Sequence, residues 1–292
     1  MAAEGESGHV TPPTRAVSSL LARVDALERQ VALAAPSIEG TLRQRGWDRV
    51  YHSSTGGLLL PRPAEGEVVE RYYADLTRYH FRRLLQEVMA LRTLGAAVTR
   101  RLEERWGAGA VATSVQRFAA YGFLRRQKGT WAVTVPRGAT FGDTLQWFVA
   151  QVFRREFAAP AAWDVRVGEI AAGGDFDVLT VLQGRLGYVE CKGSPPYNVT
   201  AGSLARFLER LRRLRPEFAI LFVDTTLRID RNIIDNLARL WREDHGREAR
   251  VARVTPGRYE IGEGRDLFVI TGRRSLIANL RWCLRRMHAP AQ

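Results

Sequence analysis

Apolar residues recur at Val17, Leu20, Val24, Leu27 and Val31, at spacings of 3, 4, 3 and 4. That is a heptad seam, and it predicts a helix across "AVSSLLARVDALERQV". Two heptads are marginal as an isolated coiled coil. Pairing of two copies through residues 17–31 into a homodimer and packing on the chain's own domain therefore both stay open. The preceding residues, 1–14, are polar and read as a disordered tail. Further on, "GWDRVYHSSTGGLLLPRP" reads as a strand, a turn at Gly56-Gly57 and a Pro-bounded exit. From Val68 to about Trp106 the pattern turns helical, with Tyr72, Leu76, Phe81, Leu84, Leu85, Met89 and Leu91 among its apolar positions.

A different pattern follows in "GAGAVATSVQRFAAYGFLRRQKGTWAVTVPRG". It predicts a helix from about Thr113 to Tyr121 and then a hairpin, Phe123–Arg126 and Trp131–Val135, turning at Lys128-Gly129. Helices followed by a basic hairpin resemble the winged-helix family. That resemblance implies that Arg117, Arg125, Arg126 and Lys128 face a nucleic-acid backbone.

Pro136-Arg137-Gly138 punctuates the chain. It divides a mainly helical region, 15–137, from a mixed one, 138–292. Beyond it the patterns predict a helix at about 141–157 and strands at 163–170, 175–183 and 186–192. A helix at 201–215, a strand at 218–224 and a helix at 229–244 follow. Short β segments near 250–254, 258–261 and 267–270 precede a last helix at 274–287. Mixed elements in this order predict an α/β sandwich around a central mixed sheet.

The most informative stretch is "DFDVLTVLQGRLGYVECKG", residues 175–193. With Gly184-Arg185 as a two-residue turn, Asp177 stands opposite Lys192 and diagonal to Glu190. Alternation then gives Asp177, Glu190 and Lys192 one face and Val178, Thr180, Leu182, Gly187, Val189 and Cys191 the other. Asp177 and Glu190 would lie within roughly 7–8 Å of each other. Charges gathered on an apolar hairpin are costly unless they satisfy one another or hold an ion. Two carboxylates at that separation suit a hard divalent cation such as Mg2+ or Mn2+, which activates water for hydrolysis and polarises a phosphoryl oxygen. Lysine supplies only 2 of the 44 basic residues, the rest being arginine, so its use at 192 is a departure from the chain's habit. A compact ammonium can orient a water or steady charge developing on phosphate.

An Asp, thirteen residues' separation and Glu-x-Lys, each on a strand after a helix, resemble the PD-(D/E)XK nuclease superfamily over about residues 141–225. The branch with Holliday-junction resolvases and Mrr-type restriction nucleases looks nearest. The resemblance implies a restriction-endonuclease-like fold in which Asp177, Glu190 and the Cys191 carbonyl bind metal and Lys192 is the catalytic lysine. Two departures stand out. Phe176 occupies the place of the usual proline, and Gln146 falls where many relatives carry a glutamate on the first helix. Glu169 is a candidate substitute, and the number of metals stays open.

Composition narrows the partners. The net charge of +13 is uneven: residues 1–140 carry 20 basic and 13 acidic groups, residues 141–200 carry 5 and 7, and residues 201–292 carry 19 and 11. Basic flanks around an acidic middle suit a polyphosphate partner such as DNA. Within "AGSLARFLERLRRLRP", Leu204, Phe207, Leu208, Leu211 and Leu214 form a core stripe, and Arg206, Arg210 and Arg213 another that could meet phosphates. Two cysteines, Cys191 and Cys283, exclude a disulfide framework or a cysteine-rich zinc site. No apolar run approaches the roughly 18 residues of a membrane span, and the start lacks a secretory pattern, so a cytoplasmic protein is expected. The expected function is Mg2+-dependent phosphodiester hydrolysis in DNA. Its rival is a non-catalytic nucleic-acid binder that keeps the fold as a scaffold.

Overall fold

The computed structural model describes residues 15–34, 37–52, 55–136, 138–170, 175–246, 248–262 and 267–288. The expected tail, 1–14, lies outside the described residues. Two compact units are present, Met1–Ser37 and Ile38–Gln292. The first contains helix α1 (Arg15–Ala34), whose heptad seam predicted it.

The second unit begins with helix α2 (Ile38–Arg43) and strand β1 (Val50–His52). The long helical pattern after Val68 breaks into α3 (Gly66–Leu76), α4 (Tyr79–Met89), a two-residue strand β2 (Thr93–Leu94) and α5 (Ala96–Trp106). Gly107 alone separates α5 from α6 (Ala108–Ala120), and its φ of 86° makes so sharp a junction affordable. The hairpin β3 (Leu124–Gln127) and β4 (Thr130–Val133) follows, and β2 joins it in a three-stranded sheet ordered β2-β4-β3.

Helix α7 (Phe141–Glu156) opens the next run, capped by Thr140, whose hydroxyl accepts from the Asp143 N–H. A meander of β5 (Ala161–Val167), β6 (Asp175–Leu182) and β7 (Arg185–Lys192) leads to α8 (Ala201–Leu214) and β8 (Phe218–Val223). Then come α9 (Asp235–His245), β9 (Val251–Thr255), β10 (Arg258–Ile261), β11 (Leu267–Thr271) and α10 (Leu276–His288). The eight-stranded sheet runs β1-β5-β6-β7-β8-β11-β10-β9. It is mixed: β7, β8 and β11 are mutually parallel neighbours, and the strands outside them pair antiparallel. The protein is thus α/β, with helices on both faces of one large mixed sheet.

Burial explains the strand sequences. "FAILFV" of β8 is buried throughout, as a central parallel strand covered on both faces must be. On one face Val178, Val189, Ile220 and Ile270 share a core with α7, α10 and the helices before residue 121. On the other, Leu179, Tyr188, Leu221 and Val269 pack with α2, α8 and α9. The punctuation at 136–138 falls inside this unit, and core residues on both sides of it belong to one cluster. Gly187 is required on β7, because a Cβ there would meet the Phe218 ring on β8 at 2.0 Å. Among the described residues no helix is long and apolar enough to cross a membrane.

A fully buried ion pair joins the helical region to the sheet. Arg82 of α4 reaches Asp224, just past β8, with Nε donating at 2.8 Å and Nη2 at 2.6 Å. Its Nη1 donates to the Leu76 carbonyl at 2.6 Å, so the guanidinium is well satisfied although both partners are essentially excluded from solvent. Replacing Arg82 by Met strands a buried carboxylate, which costs about 3–5 kcal/mol. Urea unfolding of Arg82→Met is expected to show a loss of that size, much of it recovered in the Arg82→Met/Asp224→Leu double variant.

Candidate functional site

The β6–β7 hairpin turns at Gln183-Gly184, two residues with φ of 51° and 77°, so Leu182 pairs with Arg185. Consecutive positive φ angles are those of a type I′ turn, whose twist suits a two-residue hairpin. This corrects the expected turn at Gly184-Arg185. The register moves by two residues, and one step beyond the Val178–Val189 pair it sets Asp177 against Glu190 rather than against Lys192. An even shift preserves faces, so the alternation of Glu190 and Lys192 survives.

Asp177 departs from that alternation. Phe176 and Leu179, three residues apart, both lie in the α8-side core, while Val178 lies in the α7-side core. The neighbouring strand skips in step: Ala162 and Val165 share the α8-side core, and Asp164 between them has φ of 46°. The result swings Asp177 towards α7, where its Oδ1 accepts from Gln146 Nε2 at 3.1 Å. Oδ2 accepts from the Cys191 N–H of β7 at 2.7 Å. Burial first, and then the like charge of Glu190, push the Asp177 carboxyl up to about 7, against the Cys191 N–H, Lys192 and Arg210, which pull it down.

Glu190 is buried and heavily bonded. Its Oε1 accepts from Lys192 Nζ at 2.5 Å, and its Oε2 accepts from Arg210 Nη1 at 2.8 Å and from the Tyr188 hydroxyl. Burial, reinforced by the Glu190 charge, pushes the Tyr188 hydroxyl well above its usual value, so it donates as a neutral phenol. Lys192 keeps about a fifth of its side chain exposed, the most open of the cationic groups on Glu190. Its backbone is anchored as well: the Lys192 carbonyl accepts from the Asp224 N–H at 2.8 Å. Arg83 of α4 donates to the next carbonyl, that of Gly193, at 2.9 Å. The Arg82–Asp224 pair and Arg83 therefore brace the strand end that carries the lysine.

The structure thus gathers Asp177, Glu190, Lys192 and Gln146. The Cys191 thiol packs beside the α7-side core, and burial raises it well above its usual value, leaving a neutral thiol. Glu169 is elsewhere engaged: its Oε1 accepts from the backbone N–H and Nε of Arg49, both at 3.0 Å. Among the described residues no three His, Cys, Asp or Glu side chains gather in a metal-holding group. The α8 arginines divide. Arg210 serves Glu190, Arg213 pairs with Glu209, and Arg206 is exposed. Arg117 lies 3.6 Å from the buried Asp75, which also accepts from the Tyr121 hydroxyl. Arg125, Arg126 and Lys128 are exposed on the small hairpin, with Arg126 over the Trp131 ring.

Sequence reasoning missed Tyr188 and gave Arg210 to phosphates. Both face Glu190, and their positions at i−2 and on the helix after Glu-x-Lys were the available signal.

No family model matches the chain, and no curated protein matches it. Among solved structures, protein VC1899 from Vibrio cholerae is similar at 16% identity, over 81% of this chain and 58% of that one, with a TM-score of 0.45. The chain spans less than two thirds of that neighbour's length.

The raised pKa of Asp177 has a sign that can be measured. Its folded value, about 7, exceeds the ordinary 3.8, so the native state holds the proton more tightly than the unfolded chain. Ionised Asp177 therefore destabilises the fold, by an amount that grows from about pH 4 to about pH 7 and is constant above. Relative to wild type, Asp177→Asn is expected to gain stability across that window in EDTA, read by urea unfolding at each pH. A flat difference would show that Asp177 does not titrate there.

Proposed function

We propose that this protein is a metal-dependent nuclease of the PD-(D/E)XK kind that hydrolyses phosphodiester bonds in DNA. The observation that carries the reading is the placement of Asp177 one step beyond the Val178–Val189 pair, opposite Glu190, which itself bonds Lys192, at one end of a central hairpin flanked by α7 and α8. The order of helix, three-strand meander, helix and parallel strand supports it.

The donor set suits a hard divalent ion. Asp177 and Glu190 would hold Mg2+ or Mn2+, and Gln146 Oε1, buried beside Asp177 without a hydrogen-bond partner, suits the ion's hydration shell. When bound, the metal supplies Lewis acidity and lowers the pKa of water. The chain's own residues do the rest. Lys192 offers an ammonium to the charge that develops on the scissile phosphate. Arg210 and Tyr188 hold Glu190 in one orientation, and the braces from Asp224 and Arg83 fix the strand end.

The region before residue 137 supports a winged-helix reading. Helices α5 and α6 meet at a single residue, and the three-stranded sheet ends in an exposed tip carrying Arg125, Arg126 and Lys128. Such a tip suits phosphate contacts, which position a protein without reading sequence.

A second reading, a non-catalytic nucleic-acid binder, is favoured by one fact. Two cations already answer the two oxygens of Glu190, so a divalent ion must displace Lys192 or Arg210 from it.

Cleavage assays on duplex, branched and single-stranded DNA and on RNA, with Mg2+, Mn2+ or EDTA, test the proposal. Metal-dependent cleavage of DNA is expected, falling to background in Asp177→Ala and Glu190→Ala while binding persists. Undiminished cleavage by either variant overturns the assignment. Calorimetric Mg2+ binding by the wild type that disappears in Asp177→Ala supports the nuclease, and its absence in the wild type favours the scaffold. Replacing Arg125, Arg126 and Lys128 by Gln should weaken DNA binding similarly for all sequences and reduce the salt slope by about 2–3.

A further inference from the structure

Helix α1 carries five of the ten large apolar side chains exposed in the described part of the protein: Val17, Leu20, Leu21, Val24 and Leu27. Between residues 17 and 27 every side chain is exposed except that of Ala26, which is half-buried. Over its described side chains, 17–27, the helix presents a heptad-spaced apolar stripe to solvent.

We propose that the partner is a second copy of the same helix, and that α1 dimerises the protein as a short parallel coiled coil. The seam chooses its own geometry. β-Branched Val stands at the a positions 17, 24 and 31, and Leu at the d positions 20 and 27. Val at a with Leu at d favours two parallel strands over higher assemblies. The flanking charges agree. Arg23 falls at g and Glu28 at the following e, so a parallel pair sets Arg23 of each copy beside Glu28 of the other, twice by symmetry. Leu21, at e, widens the apolar strip next to Leu20. With 20 residues the helix is roughly 30 Å long, but its seam from 17 to 31 spans only a little over two heptads, which makes a reversible, concentration-dependent dimer. The inference does not depend on the reading of the Glu190 site.

Sedimentation equilibrium of the full chain over ~1–100 μM tests it. The wild type is expected to show a monomer–dimer equilibrium, weakened at least about tenfold in Leu20→Asp/Leu27→Asp with unchanged circular dichroism of the body. Arg23→Glu should weaken the dimer about fivefold, and Arg23→Glu/Glu28→Arg should restore it. A wild type that stays monomeric throughout, or a dimer indifferent to the leucine substitutions, overturns the proposal. A charge-reversed double variant as weak as Arg23→Glu alone overturns the parallel pairing.

Discussion

A carboxylate buried in the middle of a large sheet has to be answered by donors, and Glu190 sets much of what surrounds it. Its neighbours across β7 and α8 are a phenol, an ammonium and a guanidinium, all directed at two oxygens. Each would be expensive in an apolar core without the acid, and the acid would be expensive without them. The group is therefore interdependent. Tyr188 enters the α8-side core against the Phe176 and Phe207 rings, which fixes its hydroxyl, and Arg210 descends from a helix whose other face is Leu204, Phe207 and Leu208.

Asp177 is held differently. It meets one amide side chain and one backbone N–H, with a like-charged neighbour and no direct salt bridge among the described residues. Two acids of one cluster thus have opposed surroundings: one is compensated by cations, the other is left with a high affinity for a proton. A positive charge entering the site gains most beside the second. Divergent environments around paired acids are the usual means by which a protein gives them different roles.

Rigidity at this place comes from outside the hairpin. The Arg82 guanidinium of the buried pair lies over the Tyr79 and Phe148 rings, and the backbone of Asp224 holds the Lys192 carbonyl. Helix α4, more than a hundred residues earlier in the chain, so positions the strand end that presents the lysine. Gly272 leaves room for the arrangement, since a Cβ there would meet the Tyr79 ring at 2.9 Å and Asp224 Oδ1 at 3.0 Å.

Local patterning along the chain was enough to show the element order from residue 141, the apolar stripes of α1 and α8, and the adjacency of Glu190 and Lys192 on one strand face. These depend on periods of 2 and 3.6, which are properties of local backbone geometry. Residues 66–106 broke into more pieces than their pattern showed, because a two-residue strand leaves no periodic trace. The remaining features arose from packing in three dimensions. The hairpin register followed from which residues could bear positive φ. The turning of Asp177 towards α7 required a matched irregularity in the adjoining strand. The pairing of Arg82 with Asp224, and of Arg210 with Glu190, joined residues that no local repeat connects. Charges choose partners through space, where desolvation makes an unmatched one untenable, and that cost is invisible along the chain.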